Sequence, residues 1–181
     1  MQLVKEITAF FKAKDGSIKP PEIYLGADVA RMQLPDGREV WSTSSRTYVK
    51  NSILVVERLL EEDGDGCVLK ANARNPFPTG YKPEIDITNE LDQTMALRFM
   101  QLIGILRWAV EIGHIDIYLE TSLLSQYQAN PRFGHLEAAY HIFAYLKKHP
   151  DMGKLAYDSH PLTIDESFFS ANANWTDFYG D

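Results

Sequence analysis

The sequence predicts an α+β fold that is mainly helical: an N-terminal helix and a β-hairpin, then a three-helix bundle and a terminal strand. Two observations support this prediction. Apolar residues recur at helical spacing through several stretches, and Pro35-Asp36-Gly37 separates two short runs that read as the strands of a hairpin. Short connections within residues 93–150 favour antiparallel packing of neighbouring helices.

The composition limits the classes of protein to which this chain can belong. The chain has 181 residues, of which 45% are hydrophobic and 12% aromatic, as in globular proteins. It contains no run of about 20 apolar residues, so we expect no membrane partner. The N-terminal residues lack the pattern of a signal peptide, so we expect an intracellular location, cytoplasmic or nuclear. A single cysteine, Cys67, excludes an internal disulfide and a multi-cysteine zinc site.

The first predicted elements are a helix over residues 2–13 and the hairpin. The helix places four apolar residues on one side: Leu3, Ile7, Phe10 and Phe11. Pro20-Pro21 then forces an extended entry into the hairpin. Gly26 is expected inside the first strand, where a glycine marks a bulge or the close approach of another backbone. These elements make up a first domain, residues 1–43.

A second segment, residues 44–92, combines a helix and a long loop. Ser44 or Ser45 can cap a helix over residues 46–62. Its predicted buried stripe consists of Val49, Ile53, Val56 and Leu60. From residue 63 onward, Gly, Pro, Asn and Asp dominate. This composition indicates a linker or a wrapping loop, and a stretch of that length suggests a functional or mobile segment.

Residues 93–150 carry the predicted bundle, with helices at about 93–113, 116–128 and 132–148. Asp116 is a plausible N-cap of the second helix, and the third is entered at Pro131. The first helix has a glycine in its interior, Gly104, which costs about 1 kcal/mol relative to alanine. Met100, Gly104 and Trp108 share one helical face. The glycine therefore suggests that another surface comes close to this face.

The last segment, residues 151–181, is predicted to form one strand and an acidic tail. Net charge is −7, and much of the acidic excess lies in this tail. An acidic chain is a poor match for free-standing nucleic-acid binding, which is largely electrostatic. The helices of residues 93–150 lie outside the acidic tail, so the charge does not exclude contact between them and a duplex.

The pattern Leu-Ile-Gly-x-Leu-x-Trp-Ala at residues 102–109, followed by Ile-Asp-Ile at 115–117, resembles the thumb of copia-type LTR retrotransposon reverse transcriptases. Six residues of the last helix match as well: His135, Ala138, Ile142, Tyr145, Leu146 and Lys147. Tyr24-Leu25-Gly26 matches the aromatic-Leu-Gly of the family's primer-grip hairpin. The resemblance covers approximately residues 1–158.

Five positions near these motifs bear on how close the resemblance is. Tyr48 matches the aromatic of the family's helix after the hairpin, with Ser45 where glutamine is usual. Leu136 stands where an aromatic is common, and His114-Ile115 stands where Arg-Pro is usual. These departures indicate a divergent lineage of the same family.

The resemblance implies a role in holding nucleic acid. In the family, the first thumb helix tracks the minor groove of the template–primer duplex. The implied nucleic-acid-binding residues are Tyr24, Leu25, Gly26, Arg46, Lys50, Met100, Gly104 and Trp108. The implied partners are an RNA/DNA template–primer duplex and the rest of the Pol polyprotein, with no membrane.

The family's catalytic signature is missing. Reverse transcriptases hold two metal ions with the carboxylates of a Tyr-x-Asp-Asp turn, and no Asp-Asp dipeptide occurs in these 181 residues. We therefore expect the chain to begin after the catalytic palm and to stop before the ribonuclease H domain. We predict no catalytic residue and no metal or other cofactor in this chain, since the divalent metal would belong to the palm. Polymerase activity by this chain alone is not expected.

Simpler interpretations remain open at this point. Met100 and Trp108 fit a helical core as well as a nucleic-acid track. Tyr24 and Leu25 fit ordinary strand positions, and Arg46 with Lys50 fits a solvated helix face. The corresponding alternative function is a stand-alone helical protein-interaction module derived from a retroelement.

Overall fold

The computed structural model of the protein describes residues 2–11, 22–62, 68–70 and 73–157, with side chains of the first helix from Glu6 onward. It confirms the α+β, mainly helical class. The helices are α1 (Gln2–Phe10), α2 (Arg46–Glu62), α3 (Gln93–Glu111), α4 (Tyr118–Ser125) and α5 (Phe133–Lys148). The strands are β1 (Ile23–Tyr24), β2 (Ala27–Gln33), β3 (Glu39–Ser44) and β4 (Lys154–Tyr157). Short 3₁₀ turns cover Pro83–Ile85 and Ile115–Ile117.

The strands form one antiparallel sheet in the order β1-β2-β3-β4. The predicted hairpin is its centre, with Arg31 paired to Trp41. The predicted terminal strand is β4, and it pairs with β3 so that Tyr157 lies opposite Trp41. A strand from the segment 151–181 thus completes the sheet of the first segment.

The placement of Gly26 inside the first strand is wrong. Leu25 and Gly26 form a two-residue turn between β1 and β2, with Tyr24 paired to Ala27. Their φ angles are 50° and 88°. A two-residue hairpin loop matches the twist of its strands when both central residues have positive φ. The run that reads as one strand is therefore two strands folded at the glycine.

Helix α2 begins and ends where the sequence predicts, and its stripe of Val49, Ile53, Val56 and Leu60 is buried. Of the two candidate caps, Ser44 accepts the N–H of Arg46 at 3.3 Å. Asp28 of β2 accepts the N–H of Thr47 at 3.1 Å. The Ser45 hydroxyl instead donates to the carbonyl of Gly153 at 3.2 Å. Hydrogen bonds therefore connect the start of α2 both to β2 and to the residue that precedes β4.

The predicted bundle is present, with a different start for its second helix. Helix α4 begins at Tyr118, and Asp116 does not cap it. The Asp116 carboxylate accepts hydrogen bonds from His114 Nδ1 and from the hydroxyl of Tyr145, both at 2.9 Å. Each oxygen of the carboxylate is therefore bound by a different side chain, and residues 115–117 form a 3₁₀ turn instead of the first turn of α4.

The loop of residues 73–92 wraps the bundle. Leu69 and Ala73 are buried, and Phe77, Tyr81 and Leu91 pack against the core. His135 is buried under this loop: its Nδ1 accepts the N–H of Arg132 at 3.0 Å, and its Nε2 lies 3.1 Å from the carbonyl oxygen of Pro83. The neutral Nε2–H tautomer satisfies both contacts. The loop is held to the start of α5 by buried polar contacts.

Helix α1 is shorter than the predicted span of residues 2–13, ending at Phe10. Phe10 is 85% exposed, so the described residues do not cover the predicted apolar side. Several predicted features lie outside the described residues: the side chain of Leu3, the entry at Pro20-Pro21, Cys67 and the acidic tail from residue 158 onward.

Candidate nucleic-acid interface

The predicted face of α3 is on the surface. Met100 is 37% exposed and Trp108 is 42% exposed. Leu102, Ile103 and Leu106, on the other side of the helix, are fully buried. The interpretation of Met100 and Trp108 as core residues is therefore wrong, and the helix turns its aliphatic side into the bundle.

Packing within the described residues does not explain Gly104. A Cβ built on this residue meets no atom within 4 Å, apart from the backbone of its own helix. Gly104 therefore leaves a notch between the side chains of Met100 and Trp108, each of which lies about one turn away along the helix. An external surface can approach the helix backbone there more closely than elsewhere on α3.

The β1–β2 turn lies beside this face. A Cβ built on Gly26 would be 3.5 Å from Nε1 of Trp108. Tyr24 and Leu25 are exposed next to it. The structure thus joins two predicted groups that are far apart in the chain into one surface, which we call the α3 face and define as Leu25, Gly26, Met100, Gly104 and Trp108.

Leu25 has an unusual conformation. Its φ of 50° lies in the left-handed region, which costs a residue with a Cβ roughly 1–2 kcal/mol. Its side chain is also exposed, so burial does not offset that cost. Strained residues of this kind concentrate at binding sites. The two-residue turn requires this conformation of its central residues, so the strain is a cost of the hairpin geometry.

The two predicted basic residues of α2 are in a different setting. Arg46 forms an exposed ion pair with Asp151, Nε to Oδ1 at 2.9 Å. Lys50 is exposed one turn further along α2. The sequence did not indicate Asp151 as a partner, and this pairing partly neutralises the charge that a phosphate would require of Arg46.

A group of buried residues fixes the C-terminal end of α3 against the sheet. A Cβ on Gly153 would collide with Ser45 Oγ and lie 2.7 Å from Cδ2 of His114. Ser45 and His114 are fully buried, and the Ser45 proton is donated to Gly153. Serine, histidine and aspartate therefore meet here without an accessible nucleophile, and their arrangement is structural.

The carboxylate in this group is held in its charged form. Burial alone would raise the pKa of Asp116, but the hydrogen bond and charge of His114 and the hydrogen bond from Tyr145 outweigh burial and lower it. Burial and the bond to Asp116 raise the pKa of the Tyr145 hydroxyl to about 12. The two pKa shifts keep Asp116 ionised and Tyr145 protonated, which are the states in which the phenol donates its hydrogen bond to the carboxylate.

Sequence reasoning missed a polar cleft of ≈340 Å³ between α3 and α4. Its lining residues are Arg107, Val110, Glu111, Tyr118, Thr121, Ser122 and Ser125. A signal was present, because the four hydroxyl residues fall at i, i+3, i+4 and i+7 and therefore share one face of α4.

Two further observations concern the described residues alone. They contain no group of three or more His, Cys, Asp or Glu side chains that could hold a metal ion. None of their helices is both long enough and apolar enough to cross a membrane.

Comparison with known proteins adds no assignment: no protein-family model, curated protein or solved structure matches this chain. The resemblance to copia-type reverse transcriptases therefore depends on the motifs quoted above, and family membership stays a prediction.

Proposed function

We propose that this chain is the template–primer-holding portion of a copia-type LTR retrotransposon reverse transcriptase, an RNA-directed DNA polymerase, and that it does not perform the chemistry itself. The observation that supports this most is the α3 face. No packing among the described residues accounts for the interior glycine, which leaves room for an external surface, and the hairpin turn lies beside the same face.

The shape of this face suits the minor groove of a duplex. Side chains on either side of a notch can follow the two walls of a groove while the helix backbone approaches the base edges. Met100 and Trp108 flank the notch with largely apolar surface, which fits the sugar edges that line the groove. The minor groove carries little sequence information, as a polymerase that copies any sequence requires.

Charge sets the expected strength of binding. Net charge is −7, and Arg46 is already paired with Asp151. The acidic net charge and this pairing reduce the attraction to phosphates, so we expect weak binding with a shallow negative salt dependence. In the intact enzyme, the rest of the polyprotein would supply most of the affinity.

The test is fluorescence anisotropy of a labelled duplex with the full chain at several salt concentrations. We expect Trp108→Ala to weaken binding severalfold and Trp41→Ala to leave it unchanged. Trp41 is a matched control, because it is a similarly exposed tryptophan on the sheet, stacked under Arg31 at 4.4 Å. Equal effects of the two substitutions, or no binding by the wild-type chain, would contradict the proposal.

The exposed apolar side chains around the same face support a second candidate function. Ile23, Tyr24, Leu25 and Leu97 are all more than half exposed, and an apolar surface of this kind also suits a protein partner. In that case the chain is a stand-alone protein-interaction module derived from a retroelement. Association through apolar area would be insensitive to salt, whereas duplex binding weakens as salt rises.

A further inference from the structure

The ring of His135 holds the start of α5 against the wrapping loop of residues 73–92, and only 1% of the residue is exposed. Nδ1 accepts the N–H of Arg132 at 3.0 Å, and Nε2 donates to the carbonyl of Pro83 at 3.1 Å. The ring also stacks on Tyr127, with 4.3 Å between the ring centroids. The contact with Arg132 uses the lone pair of Nδ1, so it exists only while the imidazole is neutral.

A second proton on this imidazole would lie on Nδ1. It would face the N–H of Arg132, so two donors would meet and their hydrogen bond would be lost. The ring would also carry a positive charge in a buried site, which is unfavourable. The contact with Pro83 would survive, because Nε2 is a donor in both protonation states. Protonation therefore favours conformations in which the loop leaves the ring.

The charged and titratable groups around the ring are Asp86 and Tyr81 of the loop, Arg132 before α5 and Tyr127 after α4, while α3 packs the ring of Phe99 against it. Burial alone would raise the pKa of Asp86, but hydrogen bonds from Thr88 and Tyr81 and the charge of His135 outweigh burial and lower it. The ionised Asp86 attracts a protonated ring and so opposes release. Both of its oxygens and both ring nitrogens already have other partners, so this attraction acts through space and offsets only part of the cost.

Neighbouring contacts between the loop and α5 use groups that do not change charge near neutral pH. The N–H of Phe133 donates to the carbonyl of Asn89 at 3.0 Å, and the N–H of Gly134 donates to the hydroxyl of Thr88 at 2.9 Å. Histidine, in contrast, changes its charge between pH 5 and 8. The ring of His135 is therefore the part of this junction that responds to pH in that range.

We propose that His135 is a pH-sensitive switch: the neutral ring holds the wrapping loop on α5, and protonation releases the loop while the rest of the bundle stays folded. The loop packs Phe77, Tyr81 and Leu91 against the core, so its release exposes apolar surface. Because one proton is coupled to the opening, the open form should gain up to about tenfold for each pH unit as the pH falls through the histidine range. The switch requires no nucleic acid and is independent of the proposed function.

The experiment is hydrogen exchange of the full chain at pH 7, 6 and 5, with rates corrected for the intrinsic pH dependence of exchange. The hydrogen-bonded amides of Asp86, Thr88 and Leu91 report on the loop. Their protection, relative to that of amides in α3, should fall by about tenfold or more between pH 7 and 5. No fall, or a fall of equal size in α3, would overturn the proposal.

His135→Gln is the decisive variant. A glutamine at the third position of a helix accepts the backbone N–H of the N-cap residue, so it keeps the contact with Arg132 and has no charge to gain. It should remove the extra loss of protection in acid. The matched control is His141→Gln, also on α5, where Nε2 lies 3.1 Å from the carbonyl oxygen of Asn75 in the loop. Burial lowers the pKa of His141, but a bond that the ring donates survives protonation, so this variant should keep the wild-type response.

The variants and the wild-type chain together decide the proposal. If His135→Gln keeps the wild-type pH response, or if His141→Gln abolishes it, the switch assigned to His135 is wrong. If His135→Gln has already lost the protection of the loop at pH 7, proton NMR of the wild-type histidine rings decides. The charge of His135 must then change over the same pH range as the protection of the loop, and a change of charge without loss of protection overturns the proposal.

Discussion

The hydroxyl of Tyr145 donates a hydrogen bond to Oδ2 of Asp116 at 2.9 Å, linking α5 to the turn that precedes α4. The other carboxylate oxygen is held by the fully buried His114. The His114 ring lies next to Gly153, immediately before β4: a Cβ built on this glycine would be 2.7 Å from Cδ2 of the ring. One carboxylate therefore connects the bundle to the segment that completes the sheet.

We expect Tyr145→Phe to lower the free energy of unfolding by about 1.5–3 kcal/mol, the range for a hydrogen bond to a charged group. Because the pKa of Asp116 is lowered in the folded protein, its contribution is present above the unfolded-state pKa and is lost as the pH falls through the folded-state value. The difference between wild type and variant in urea unfolding should therefore shrink in acid.

The same pair sets an alkaline limit. The pKa of Tyr145 is raised from 10.0 to about 12, so its stabilising contribution is present below pH 10 and is lost as the pH rises to about 12. Tyr157→Phe is the control, since Tyr157 is an exposed residue whose hydroxyl lies 3.3 Å from the neutral hydroxyl of Thr43. A pH-independent difference for Tyr145→Phe would show that the bond is not charge-assisted.

Gly104→Ala tests the α3 face. The new methyl meets open space and alanine is the better helix former, so we expect stability to rise by up to about 1 kcal/mol. Duplex affinity should fall, because the methyl fills the notch. Asn51→Ala is a matched change at an exposed position of α2 and should leave duplex affinity unchanged. A clear fall in the melting temperature of Gly104→Ala would contradict the exposed-face geometry.

Leu25→Asn separates stability from binding at the hairpin turn. Asparagine tolerates positive φ, and Asn-Gly is the preferred pair for a turn of this kind. We therefore expect the substitution to raise stability by about 1 kcal/mol, by relieving the left-handed strain of a leucine, and to weaken duplex binding. Lower stability would show that the Leu25 side chain makes contacts that outweigh the strain.

Gly134→Ala tests the attachment of the wrapping loop to α5. A Cβ there would collide with the carboxylate of Asp86, which is held by Thr88 and by the Tyr81 hydroxyl at 2.7 Å. We expect a loss of about 1–3 kcal/mol, the usual range for overpacking. Asp86→Ala removes the obstacle, so adding Gly134→Ala to it should cost less than in wild type. Additive losses in thermal melts would contradict the collision.

Hydrogen exchange tests the sheet. β3 is paired on both sides, by β2 and β4, whereas β1 is a two-residue edge strand. Amides of β3 should therefore be protected to nearly the extent of those in α3 and α5, while those of β1 exchange quickly. Fast exchange throughout residues 22–44 would indicate that the sheet opens independently of the bundle.

Several features of this protein follow from the sequence alone. The bounds of α2 and its buried stripe follow from a 3.6-residue period that only one helical face satisfies. The turn at Pro35-Asp36-Gly37 follows from local backbone preferences. Each of these depends on neighbours within a few residues.

Only the tertiary structure decided the rest. The pairing of β4 with β3, the contact of the Gly26 turn with Trp108 and the bonding of Asp116 to Tyr145 all join residues far apart in the chain. A capping aspartate and a buried hydrogen-bonding aspartate look the same in sequence, since the choice depends on which donors the fold brings near. The Thr121 hydroxyl likewise lacks a partner among the described residues only once the fold buries it, because burial removes the water that would otherwise satisfy it.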